Sequence, residues 1–126
     1  MAALATVHTV LLVEDDPITV MVAEGLLEDA GIGVTVANDG ETAVQLATER
    51  AYDLILMDFS MPGMDGITAT RTIRDSTSIN ASTPIIGLTA EENSTQREAA
   101  LAAGMQHVHL KPIDFELFHA AGLALP

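Results

Sequence analysis

The chain has 126 residues, 48% of them hydrophobic, with 18 acidic and 5 basic side chains for a formal charge of −13. That length suits a single domain over residues 1–126 with one core, and no apolar run approaches the roughly 20 residues that cross a membrane. Such an acidic surface repels nucleic-acid phosphates and favours a divalent cation or a basic partner surface. The absence of cysteine rules out disulfides and thiolate metal sites and fits the cytoplasm, and Met1–Thr6 lacks the basic region and apolar core of a signal peptide.

In chain order, the first apolar run is Val10–Val13, closed by Glu14-Asp15-Asp16. Asp16-Pro17 reads as a helix cap followed by proline at the first helical position. Ile18, Met21, Val22, Leu26 and Ala30 then mark one face at helical spacing, and Gly31 supplies a stop. A second β run, Val34–Ala37, precedes a helix from near Gly40 to Glu49. The third run, Leu54–Met57, delivers Asp58 to the turn Phe59-Ser60-Met61-Pro62-Gly63-Met64-Asp65-Gly66, where Pro62-Gly63 serve turn formation and Met61 and Met64 packing. A helix follows from near Gly66 to Arg74. Run four is Ile85–Leu88, then Thr89; Thr95 and Glu98 have the spacing of a capping box for a helix that Gly104 ends. Run five, His107–Leu110, leads to Lys111-Pro112 and a short last helix over Asp114–Ala124.

Runs one and three are apolar throughout, as in parallel strands covered on both faces. Alternating β and α units predict an α/β fold: a five-stranded parallel sheet, doubly wound, (βα)5. In such sheets ligands bind beyond the carboxyl ends of the strands, where strand order reverses. Glu14-Asp15, Asp58, Thr89 and the only lysine, Lys111, each end a different run, so one rim gathers them. Carboxylates brought close repel one another, and a divalent cation relieves that; oxygen ligands favour Mg²⁺, with Mn²⁺ as a substitute. Asp58 is then a nucleophile for phosphorus, with Lys111 and Thr89 placed to neutralise or bond the transferring oxygens.

With these residues the chain resembles the receiver domain of bacterial-type response regulators, over nearly its whole length. The Met-Pro-Gly-Met-Asp-Gly and Thr-Pro-Ile-Ile-Gly-Leu-Thr-Ala segments look like receivers attached to hybrid histidine kinases. The resemblance implies a flavodoxin-like receiver fold and a phosphorelay function, with a phosphoryl group passing from a partner phosphohistidine to Asp58. It implies that Asp15 binds Mg²⁺ directly, that Glu14 acts with it, and that Asp58 and the backbone carbonyl of Ser60 complete the metal ligands. Thr89, followed by Ala90, is by resemblance the switch hydroxyl and Lys111 the phosphate-binding lysine. Ser60 and Glu91 occupy positions that tune phosphoryl lifetime, and Asp16 is left as a cap. Val108 stands where the family often has an aromatic switch side chain, and the last helix looks short for the usual helix–strand–helix signalling and dimerisation face.

A histidine kinase or histidine phosphotransfer protein is the implied partner. His107 and His109 share a strand face, a metal pair without a third ligand nearby; His8 and His119 carry no motif, so the donor histidine belongs to the partner. Three other classes remain open. A phosphohydrolase with an Asp58 nucleophile generally carries a second acid two residues on, where this chain has Ser60. A flavodoxin-like cofactor binder would need a phosphate-cradling loop, and a degenerate receiver would act only as a binding module.

Overall fold

The computed structural model describes residues 4–75 and 79–126; of the Met1–Thr6 segment, Met1, Ala2 and Ala3 lie outside the described residues. A short strand β1 (Ala5–Thr6) precedes β2 (Thr9–Val13), α1 (Pro17–Asp29), β3 (Gly33–Ala37), α2 (Gly40–Glu49), β4 (Leu54–Asp58) and α3 (Gly66–Asp75). Then come β5 (Ile85–Thr89), α4 (Ser94–Ala103), β6 (His107–Leu110), α5 (Glu116–Ala120) and β7 (Leu123–Ala124). The main sheet has the order β3-β2-β4-β5-β6, every neighbouring pair parallel. All five expected runs are strands of this sheet.

Position in the sheet accounts for composition. Every residue of the interior strands β4 and β5 is buried, so both faces of Leu54–Met57 are apolar. The edge strands β3 and β6 are only partly covered, and they are the ones that carry Thr35, His107 and His109. One side of the sheet packs Leu11, Ile55 and Met57 on Ala43, Ala47, Ala69, Ile73 and Ala100 of α2, α3 and α4. The other packs Leu12, Leu54 and Leu56 on Ala23 and Leu27 of α1 and Leu117 and Phe118 of α5. The alanines let the helices of the first side approach closely.

Three sequence expectations are corrected. Helix α1 buries Ala23 and Leu27, with Val20 and Ala30 partly packed, whereas Ile18, Met21 and Val22 are 69%, 67% and 61% exposed. The helix is apolar on two faces, and the sheet takes the one centred on Ala23. Helix α4 is capped not by Thr95 but by Asn93, whose side chain accepts from Gln96 N at 3.0 Å; Asn93 sits just before the helix, and a Thr95 cap would forfeit its first turn. The last helix does not reach Ala124. It stops at Ala120, the chain turns through Gly122 at φ +72°, a left-handed conformation suited to glycine, and Leu123–Ala124 pairs parallel with Ala5–Thr6. Leu123, 7% exposed, there packs into the core cluster of Leu117 and Phe118.

Asn80, fully buried, ties this scaffold beneath β4. Its amide donates to the carbonyls of Ala47 and Arg50, both at 2.6 Å, closing the end of α2, while its oxygen accepts from Tyr52 N at 3.0 Å. Arg74 spreads its guanidinium over the carbonyls of Gly104, Asn80, Ala81 and Thr83.

Candidate functional site

The strand order reverses between β2 and β4, and their carboxyl ends carry Glu14-Asp15 and Asp58. Glu14 is held by its backbone: its N–H donates to Ala37 O at 3.0 Å and its carbonyl accepts from Asn38 Nδ2 at 3.3 Å. Asp58 is the last residue of β4, and the next amide, Phe59 N, bonds Leu88 O of β5 at 3.1 Å. The turn beyond it bends at Gly63, φ +77°, and Asp65 receives Thr68 N at 2.8 Å to start α3. Gly66 then packs its backbone against the Asp58 carbonyl so closely that a Cβ there would overlap it. Lys111 follows β6 and its N–H donates to Thr89 O at 2.8 Å, which fixes the base of its side chain.

These anchors bring the predicted residues together. One carboxylate oxygen each from Glu14, Asp15 and Asp58 lies within 4.8 Å of the other two. Lys111 Nζ is 2.9 Å from Glu14 Oε1 and 3.2 Å from Asp58 Oδ1. Glu14 is 1% exposed and Asp58 4%, whereas Asp15 is exposed. The group lines a cleft of about 370 Å³, completed by Ser60, Thr89, Ala90 and Glu91. The Thr89 hydroxyl donates to the carbonyl of Glu91 at 2.9 Å. Val108, 8% exposed, lies outside this cleft; it packs in the cluster of Phe59 and Met105 and lines a neighbouring hollow of about 260 Å³ that also reaches Thr89.

The electrostatics follow from burial. Desolvation first, and then a hydrogen bond and charge repulsion from Asp58, push the Glu14 carboxyl up to about 7, with Lys111 opposing. For Lys111, burial lowers the pKa, but the hydrogen bond to Glu14 and the charges of Asp58 and Glu14 outweigh it and leave it raised. Both directions describe one shortage of cation: two buried acids share a single ammonium, which stays charged while one acid holds its proton. Glu14 Oε2 is buried with no hydrogen-bond partner among the described residues. An all-oxygen donor set with one orphaned carboxylate oxygen fits a hard divalent cation.

Asp16 stands apart as the cap of α1, accepting from Thr19 N at 3.1 Å and from its hydroxyl, bonds that lower its pKa. His107 and His109 point from the same face of β6 and are half-buried. Asp114 Oδ1 lies 3.5 Å from His109 Nε2, an acid that the spacing in sequence did not suggest. Sequence reasoning also missed Gln96, which lines the carboxylate cleft from the first turn of α4; the misplaced cap had hidden its orientation.

A family model for the response regulator receiver domain matches residues 10–122. The chain belongs to that family. The receiver domain of the sensor histidine kinase PA1611 from Pseudomonas aeruginosa PAO1, crystallised with a magnesium ion coordinated in its active site cleft, is 40% identical. It superposes with a TM-score of 0.81 over 95% of each chain. The signal transduction histidine-protein kinase BarA of Escherichia coli K12 is 40% identical over 111 residues, and hybrid signal transduction histidine kinase K of Dictyostelium discoideum 37% over 118. These matches cover 88% and 89% of this receiver domain but only 12% and 10% of the two kinases. The receiver fold is thus flavodoxin-like, and among the described residues no helix is long and apolar enough to cross a membrane.

Proposed function

We propose that residues 1–126 act as one phosphoacceptor domain, receiving a phosphoryl group on Asp58 from a phosphohistidine of a partner. The observation that carries this is the near-buried Asp58 carboxylate, 3.2 Å from the Lys111 ammonium and grouped with Glu14 and Asp15. An Asp58 oxygen attacks phosphorus, the P–N bond of the donor breaks, and the electron pair returns to the donor imidazole. Lys111 offsets charge on the transferring oxygens, and the Thr89 hydroxyl turns from Glu91 O to donate to one of them. Asp15, Asp58 and the Ser60 carbonyl would hold Mg²⁺, with Glu14 acting beside them. When bound, the ion neutralises the crowded carboxylates and developing phosphoryl charge. The magnesium in the cleft of the PA1611 receiver supports that assignment.

Next to the cleft, Ile18 and Val22 of α1 line an apolar groove of about 310 Å³ with Pro112 and Ile113. Exposed apolar groups beside an acceptor carboxylate suit a docked helix that presents its histidine to Asp58, as a histidine kinase or phosphotransfer protein would. Thr89 and its loop then carry the change to neighbouring surface. Because Val108 replaces a ring, that coupling repacks a small aliphatic side chain. Intact-mass measurement after incubation with Mg²⁺ and acetyl phosphate tests the proposal. One added phosphoryl group in the native chain and none in Asp58→Ala is expected, and equal labelling of the two would refute it.

A further inference from the structure

Gln96 stands at a junction that the phosphoacceptor chemistry above does not use. It is the third residue of α4, and its N–H is fixed to the Asn93 cap at 3.0 Å. Helical side chains lean toward the helix N-terminus, which here faces the rim. The residue is half-buried and borders three clefts at once: the carboxylate cleft with Asp58 and Lys111, one of about 350 Å³ under Ser60, and the hollow between Thr89 and Val108.

Apart from the Ser60 hydroxyl, which also lines the carboxylate cleft, the other polar side chains at the rim are committed or wrongly charged. Thr19 donates to Asp16, Thr89 to Glu91 O, and Lys111 to Glu14 and Asp58. Glu91 and Asp16 are anionic acceptors that repel a phosphoryl group. Gln96 supplies the only carboxamide lining the carboxylate cleft, and its side-chain amide makes no hydrogen bond among the described residues. A neutral group that both donates and accepts, on a rigid helical turn, can orient a water without repelling the phosphate.

We propose that Gln96 is a positioning residue for the water that hydrolyses the aspartyl phosphate, and so sets the lifetime of the phosphorylated state. The inference rests on the phosphoacceptor function of Asp58. Water oxygen attacks phosphorus opposite the Asp58 oxygen, that O–P bond breaks, and Asp58 leaves as a carboxylate. The water proton, held toward the Gln96 carbonyl oxygen during attack, passes to solvent as inorganic phosphate departs.

The test loads the native chain, Gln96→Met and Gln96→Glu with acetyl phosphate and Mg²⁺, removes the donor, and follows phosphoryl loss by intact mass. Methionine keeps length and removes both polar atoms, so decay should slow about tenfold, the scale of one transition-state hydrogen bond. The loading rate should be unchanged. Glutamate retains an acceptor oxygen at the same reach but adds a charge that repels the phosphoryl group, so it should load more slowly and yet, once loaded, decay faster than the Met variant. Equal decay in the native and Met chains overturns the inference while leaving Asp58 as acceptor. Loading and decay slowed together in the Met chain would mean a distorted cleft and would also overturn it. No loading of the native chain defeats the phosphoacceptor proposal, and this one with it.

Discussion

Replacing Glu14 with Gln should stabilise the metal-free protein at neutral and alkaline pH. Burial and Asp58 raise the Glu14 carboxyl from 4.5 to about 7, so the folded chain holds a proton that the unfolded chain has released. Stability therefore falls as pH climbs between those two values and is flat beyond, because the native state binds more protons across that window. At about 1.4 kcal/mol per pH unit, the displacement corresponds to a ceiling of roughly 3 kcal/mol. The neutral amide of Glu14→Gln would forgo the ionic bond to Lys111, but that ammonium keeps Asp58 at 3.2 Å, so a net gain of about 1–2 kcal/mol is expected at pH 8. That is a rise in Tm of about 4–8 °C for a domain of this size. Near pH 4.5 the gain should vanish. With no Trp and one Tyr in the chain, urea unfolding followed by far-UV circular dichroism in EDTA is the suitable assay. Subtracting the variant's curve from the native one isolates Glu14 from the other acids. The raised Lys111 value acts only above its ordinary 10.5 and stays outside the window. Parallel pH profiles for the two chains, or a variant less stable at pH 8, would refute this account of the cleft. Added Mg²⁺ should stabilise the native chain more than the variant.

Lys111→Met removes the group that holds the Glu14 carboxyl down; the pH-dependent loss of stability should then extend above pH 7, as the same titration of unfolding would show. Gly66→Ala improves helix propensity by about 1 kcal/mol but drives a Cβ into the Asp58 carbonyl. A net loss of roughly 1–2 kcal/mol is expected, with slower acetyl phosphate loading; an undisturbed loading rate would contradict the contact. Asn80→Ala strands the carbonyls of Ala47 and Arg50 and the amide of Tyr52. It should cost about 3 kcal/mol or more, read as a large fall in urea midpoint with Mg²⁺ affinity retained in the folded protein.

The sheet and rim were legible because their signals are local and strong. A fully apolar run ending in an acid specifies a covered strand and the chemistry at its tip, as Leu54–Asp58 does, and topology alone brings Lys111 to Glu14. Helix orientation was less legible. In α1, Ile18 and Met21 are as apolar as Val20 and Leu27, and only the presence of the sheet selects between the two faces. At α4, Asn93 and Thr95 are both competent caps, and the choice depends on where the loop after Thr89 lets the helix begin. The Asn80 network joins elements that lie about 30 residues apart in sequence and leaves no periodic trace. The end of α5 was misjudged because Gly122 and Leu123 act through a partner strand at the far end of the chain.

The pairing of Ala5–Thr6 with Leu123–Ala124 gives the domain the geometry of a cassette. Both strands lie against the amino ends of the sheet, Val7 N bonding Ala124 O and Gly33 N bonding His8 O, at the pole opposite the carboxylates. Because the two strands run parallel, polypeptide enters beside the start of β7 and leaves beyond its end, offset along the strands by roughly 10 Å, so a host protein would need a short spacer to carry the domain within a surface loop. The same juxtaposition suits circular permutation, the old ends joined by a few residues and new ones cut at an exposed turn, with the rim left open.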